Sequence, residues 1–167
     1  MALAKHFRTE VRDRLIALLE ADPDLPPVRK RPPSALRMED LPCLIVMTRD
    51  ETIGFKTAPA PRRAERALDL TVEAWAPGQI DPDTGEVVND PEADAEAIQA
   101  RVERLLAADR KLGGLVHDLT PTAIAMSGED DDGEVPIGMA ALILRATYHV
   151  QEGAVEAPAA PAPGPTP

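Results

Sequence analysis

The chain has 167 residues, a net charge of −11, one cysteine, one tryptophan, one tyrosine and two phenylalanines. That length supports one domain whose core, poor in aromatics, must be built from Leu, Val, Ile, Ala and Met. The acidic balance argues against gripping a nucleic-acid backbone, which needs Lys and Arg to displace counterions. Cys43 alone excludes an internal disulfide framework or a multi-cysteine zinc site, and no apolar run approaches the roughly 20 residues that span a bilayer.

Leu3, Phe7, Val11, Leu15, Leu18 and Leu19 recur at spacings of three and four, one apolar stripe of a helix from about Ala2 to Ala21. Arg8, Arg12, Asp13 and Arg14 lie off the stripe, so the helix is amphipathic and lacks a signal peptide's apolar core, and the expectation is a soluble protein made in the cytoplasm. Asp22-Pro23 stops the helix. Asp22 to Asp40 holds Pro23, Pro26, Pro27, Pro32 and Pro33 and reads as an irregular crossing, neither helix nor central strand. Its block Arg29-Lys30-Arg31 is the one positive cluster in an acidic chain. It reads either as a solvated loop or as a contact with an acidic neighbour, such as another copy's acidic loop.

Leu41 to Thr48 is a nearly continuous apolar run, the pattern of a buried strand, with Cys43 as a small core residue. Arg49 to Ala60 reads as a polar loop or irregular edge. Arg62 to Trp75 alternates cleanly, with Leu68, Leu70, Val72 and Ala74 on one face of a strand. Trp75, beside Pro77-Gly78, is either an exposed interface anchor or a lid on the core rim. Pro77 to Asp90 is turn-rich. Its Asp81-x-Asp83-x-Gly85 spacing lacks the third oxygen ligand and the closing Glu of a calcium loop, so it reads as a solvated turn.

Asp90-Pro91 starts a second helix, with Asp as N-cap and Pro at the first position. Glu92, Asp94 and Glu96 suit its positive end. Ala95, Ile98, Val102, Leu105 and Leu106 form its buried stripe, Arg110 and Lys111 fall in its last turn, and Gly113-Gly114 end it. Leu119 to Met126 and Pro136 to Val150 then make a β-hairpin. In its second strand Leu142, Leu144, Ala146, Tyr148 and Val150 share an apolar face. The connection carries an acidic tip: Glu129, Asp130, Asp131, Asp132 and Glu134. Residues 153–167 are mostly Ala and Pro and have no apolar period, so the chain divides into a domain of 1–152 and a flexible tail of 153–167.

The order helix, strand, strand, helix, strand, strand predicts an α+β two-layer sandwich. It has a mainly antiparallel sheet of about four strands, two helices on one face and a protruding β-hairpin. The sequence has no Gly-rich phosphate loop, no G-x-S-x-G and no Cys/His pair at ligand spacing. His6, His117 and His149 are scattered over different elements. The reading is a protein that is not an enzyme and takes no metal and no cofactor.

Particular stretches carry a resemblance. The helix His6-Phe7-Arg8-x-x-Val11-x-x-x-Leu15, the Pro-rich crossing and the strand Leu41-Pro42-Cys43-Leu44-Ile45-Val46 come first. The alternating strand Ala67 to Trp75, the helix Asp94 to Leu106 and the hairpin ending in Leu142 to Tyr148 follow. Over roughly residues 3 to 150 this layout resembles the tail terminator proteins (minor tail or tail completion proteins) of long-tailed bacteriophages and gene transfer agents. The resemblance implies a structural virion protein at the tail–neck junction. It implies a homo-oligomeric ring, as a hexamer, that caps the tail tube, ends its polymerisation and offers a surface for head–tail joining. The implied partners are further copies of the chain, the tail tube protein and the head–tail connector or neck protein. DNA would pass through the lumen without specific binding, no membrane is involved, and an acidic wall suits that passage because like charges do not stick. The charge and exposure pattern makes Arg29, Lys30, Arg31, Trp75, Glu129, Asp130, Asp131, Asp132 and Glu134 the candidate inter-subunit or partner contacts. Two alternatives are another ring of the same particle (a neck, head-completion or tail tube protein) and a small cytosolic binding module.

Overall fold

The structure, a computed structural model, describes residues 6–29, 36–55, 62–129 and 135–151. Its elements are α1 (Phe7–Glu20), β1 (Val28–Arg29), a 3₁₀ turn (Met38–Asp40), β2 (Cys43–Phe55), β3 (Arg63–Pro77), α2 (Pro91–Ala108), β4 (Asp118–Glu129) and β5 (Ile137–Gln151). One sheet has the order β1-β2-β3-β5-β4. All its pairings are antiparallel except that of β1 with β2. The fold is therefore α+β, with a mixed five-stranded sheet.

The period-two pattern places the core. Leu68, Leu70, Val72 and Ala74 of β3 lie directly across from Ala146, Leu144, Leu142 and Ala140 of β5, and all eight are buried. Both helices cover this face. From α1 come Phe7, Val11, Leu15 and Leu19, and from α2 Val102 and Leu106, joined by Leu44, Leu119 and Tyr148 in one cluster. Burying each large aliphatic side chain contributes about 1.5–3 kcal/mol, and this shared face is what holds the two layers together.

Local chemistry sets the ends. The His6 Nδ1 accepts from the Arg8 backbone N–H at 3.3 Å and caps α1. The Asp90 Oδ1 accepts from the N–H groups of Glu92 and Ala93, both at 3.1 Å, and caps α2. The start of α2 is pressed against β5 at Gly138, beside a small-residue cluster of Ala76, Ala95 and Ala140. Arg101 clamps the exit of α1. Its Nε and Nη2 donate to Asp22 at 3.0 and 2.7 Å, and Nη2 also meets Asp24 at 2.6 Å.

Four expectations are corrected. The crossing contains a strand after all: the Leu44 N–H donates to the Pro27 carbonyl at 3.0 Å and sets β1 in register beside β2. The sheet thus has five strands, not about four. Residues 49–55, read as a loop, continue β2 past a bulge between Thr48 and Glu51. The second helix stops at Ala108. Arg110 and Lys111 therefore sit beyond it, in a turn where the Asp109 carboxylate accepts from the Gly113 N–H at 2.8 and 3.0 Å. The hairpin is not a free arm, because β5 lies along β3 for its full length and the uncovered strand is β4. The tail of 153–167 lies outside the described residues.

Candidate functional site

The strand register defines two ends of the molecule. At one end lie Pro77 opposite Ile137, Glu129 opposite Ile137, and Cys43 opposite Trp75. The Gly78 N–H donates to the Pro136 carbonyl there at 2.7 Å, so the loop after β3 and the hairpin connection leave the sheet side by side. Residues 77–94 carry Asp81, Asp83, Glu86, Asp90, Glu92 and Asp94 and no Lys or Arg, and residues 128–137 carry Glu129, Asp130, Asp131, Asp132 and Glu134 and no Lys or Arg. This end is acidic. The Asp81 carboxylate is occupied in its own turn, where Oδ1 accepts from the N–H groups of Asp83 at 2.8 Å and Thr84 at 3.2 Å.

The other end is marked by Arg63 opposite Gln151, Ala64 opposite Phe55, and Asp118 opposite Thr147. Here a groove of about 650 Å³ is lined by Phe7, Arg63, Lys111, His117, Tyr148, His149 and Gln151, with Gly114, Leu115, Val116 and Val150. Among the described residues that line it there is no carboxylate. A shallower depression beside it adds Arg62 to Arg63, His149, Val150 and Gln151. Arg62 lies over the Phe55 ring with its guanidinium 4.8 Å from the ring centre. His117 and His149 meet edge to face at 5.8 Å, and the His149 Nε2 is 3.8 Å from Glu65. Four separate stretches of chain build this basic end, so no local cluster of the sequence announces it.

The expected contact residues divide between these places. Arg29 lies on β1 near the acidic end, with its Nη2 3.7 Å from Asp40, so it is already engaged within the chain. Lys30, Arg31, Asp130, Asp131, Asp132 and Glu134 lie outside the described residues. Glu129 ends β4 at the acidic end. Trp75 is half-buried on the helix-free face, where its Nε1 donates to Glu73 at 3.0 Å. That bond also ties down the buried Glu73 carboxylate. Arg29 and Glu129 therefore share an end, and Arg62, Arg63 and Lys111 lie at the opposite end, where Arg62 and Arg63 also interact within the chain.

Other polar groups on the sheet are structural. On the helix-free face Arg145 grips Asp69 through two bonds of 2.8 and 3.0 Å, which hold the Asp69 carboxyl below its usual range. Under the start of α1, the Tyr148 hydroxyl bonds Glu51, which Arg66 meets at 3.2 Å. Burial first, and then the Glu51 carboxylate, push the phenol upward. Cys43 is buried, and burial pushes its thiol up to about 11, making it a poor nucleophile. Among the described residues no group of three or more His, Cys, Asp or Glu is placed to hold a metal ion, and no helix is long and apolar enough to cross a membrane.

Among the described residues, both long edges of the sheet stay open over part of their length. There β1 covers Leu44 and Ile45 of β2. On the far edge, Pro121 to Ser127 of β4 are all exposed, including Ile124 and Met126. Ile53 and Phe55 are the exposed apolar residues of β2. No protein-family model matches the chain, and no curated protein matches it.

Proposed function

We propose that this chain is a ring-forming structural subunit of the tail-terminator kind. In this reading a homo-oligomeric ring caps a phage or gene-transfer-agent tail tube at the tail–neck junction, ends its growth and receives the head connector. The chain does no chemistry. The observation that carries the reading is the sorting of charge to opposite ends of one sheet. A closed ring uses a heterologous contact, one patch meeting a different patch on the next copy, and unlike ends supply such a pair. Exposed ion pairs contribute only about 0–1 kcal/mol each, so they set orientation and not strength. The open edges with Ile124, Met126, Ile53 and Phe55 offer the apolar area that strength requires. The resemblance in element order supports the phage assignment.

The test has two parts. Electron microscopy and light scattering of the purified chain should show closed rings of one size. Particles assembled without the chain should carry tubes of uncontrolled length or tubes that do not join heads. Unaltered tube length and normal head joining would refute the terminator assignment.

A further inference from the structure

We infer that the outer edge of β4 in one copy pairs with the outer edge of β2 in the next, so that one sheet runs from copy to copy. The contact deepens the ring reading above, and only its consequence for tail length rests on that reading.

β4 is the last strand in the sheet order, and Pro121 to Ser127 are all exposed. A strand at an edge presents a row of backbone donors and acceptors. Edges that must stay unpaired are blunted by charge, proline or a bulge. The first half of β4 is blunted in this way, by Pro121 and by the register shift between Pro121 and Ala123. The second half, Ala123-Ile124-Ala125-Met126-Ser127, has no charge, no proline and no register shift. Nothing in that stretch keeps a further strand away.

The face of the sheet points to β2 of a second copy. Ile124 and Met126 lie opposite the buried Leu142 and Ala140, so they project to the helix-bearing side, yet both are exposed. Ile53 and Phe55 of β2 lie opposite Arg66 and Ala64. Ala64 belongs to the core, so these two project to the same side, and they too are exposed. Among the described residues no strand pairs with the outer edge of Thr52 to Phe55. Joined edge to edge, the two strands set these four apolar side chains together on one face.

Strand direction agrees. β2 with β3, β3 with β5 and β5 with β4 are each antiparallel, so β2 and β4 run in opposite senses. Copies repeated in one orientation about an axis therefore meet antiparallel, with neither inverted. Pairing of β4 with itself would stop at two copies, whereas β4 with β2 leaves each copy one further edge to offer.

The place of β1 sets the register. Met126 stands level with Ala140, Ala74 and Leu44, and at Leu44 the edge of β2 is already taken by Val28. The two edges therefore meet only with a stagger, β4 sliding toward Phe55 of the neighbour. Ile124 opposite Phe55 and Met126 opposite Ile53 is the register that matches the apolar pairs. Ala125 then faces Gly54 and Ser127 faces Thr52, so no charges are opposed in this run. Ile124 is level with Val72 and Phe55 with Ala64, eight residues apart along β3, so each copy steps about 26 Å along the strands relative to its neighbour. A sheet that closes on itself needs tilted strands and a stagger of this kind. The step lays the Glu129 half of one copy alongside the Phe55 half of the next.

The experiment is disulfide cross-linking of the full chain. Opposed Cβ atoms in an antiparallel pair stand about 4.5–5.5 Å apart. A chain carrying both Ile124→Cys and Phe55→Cys should therefore give, on mild oxidation, a ladder of linked copies that ends at the ring size. Met126→Cys with Ile53→Cys, opposed in the same register, should do the same and carries the test if the first chain does not fold. Each single variant should give no ladder, and Cys43 is buried. Ala125→Lys puts a charge on the edge. It should leave circular dichroism unchanged and weaken self-association by roughly tenfold or more in Kd, read by sedimentation velocity. A wild-type monomer would overturn the contact together with the ring. Rings that resist Ala125→Lys and give no ladder would overturn the contact and leave the ring reading intact. Ala125→Cys linking copies into dimers would show β4 paired with itself and overturn the inference. A ladder, with tails of normal length in particles lacking the chain, would sustain the contact and remove the terminator function.

Discussion

Gly138→Ala is expected to destabilise the fold, and the structure states why. Gly138 lies on β5 where α2 begins. A Cβ there would stand well under 3.0 Å from the Pro91 carbonyl and the Glu92 nitrogen, all of them backbone atoms. No rotamer relieves such a clash. The helix start must retreat by about 1 Å, or β5 must bend, and the packing of Ala76, Ala95 and Ala140 opens with it. Overpacking of this kind costs about 1–3 kcal/mol. Replacing Gly within a strand returns up to about 1 kcal/mol of chain entropy. The net expectation is a loss of about 2 kcal/mol, or a fall of about 4–8 °C in Tm for a domain of this size. Gly54→Ala is the control. Among the described residues its Cβ would meet the Glu65 carbonyl alone, at 3.9 Å, so its effect should be neutral or slightly stabilising. Urea unfolding of both variants reads the difference as a shift of midpoint at constant slope. A Gly138→Ala midpoint equal to that of Gly54→Ala would refute the close approach of helix and strand.

Three further outcomes follow from the interior. The Cys43 thiol should not react with an aromatic disulfide reagent near pH 8 until denaturant is added, and rapid reaction of the folded chain would show that β2 is open at its start. Tyr148→Phe should keep the stack on Phe7, whose rings are 4.2 Å apart, yet cost about 1–2 kcal/mol by removing the donor to Glu51. An unchanged midpoint would mean that Arg66 alone satisfies that carboxylate. Asp69 and Asp22 are held below their usual range by hydrogen bonds from Arg145 and Arg101 respectively. Their folded values lie below the unfolded ones, so their contribution is present above pH about 4 and is lost as pH falls through the folded values. Melting should therefore decline on acidification, and Asp69→Asn should make that decline shallower. An acid limb identical to wild type would remove Asp69 from the account.

The parts of the fold legible in the sequence are those whose signal is local. Leu68, Leu70, Val72 and Ala74 announce β3, and Leu142 to Val150 announce β5, because side chains alternate with period two whatever the partner is. Asp90-Pro91 marks the start of α2 for the same reason: cap and helix are neighbours. The second half of β2 was hidden because its polar residues are satisfied from afar. Glu51 bonds Tyr148, 97 positions away. β1 was hidden because a two-residue strand has no period. The groove has no local signal in the sequence because Arg63, Lys111, His117 and His149 come from different elements, whereas Arg29-Lys30-Arg31 is contiguous. The paired spacing of basic residues just before β3 and just after α2 is the one sequence signal that could have pointed to it, once both ends were known to meet.

The position of β5 has a consequence for synthesis. Among the described strands it is the last to leave the ribosome, yet in space it lies between β3 and β4 and pairs with both. Until it arrives, β3 has only β2 beside it, and Leu68, Leu70 and Val72 lack the strand that completes their layer. The domain therefore cannot be completed piecemeal as it emerges, and the central pairing of β3 with β5 joins distant parts of the chain, which slows folding. A ribosome that stops short of Ile137 releases an open half-sandwich with sticky strand edges, work for chaperones and proteases and not a shorter working subunit.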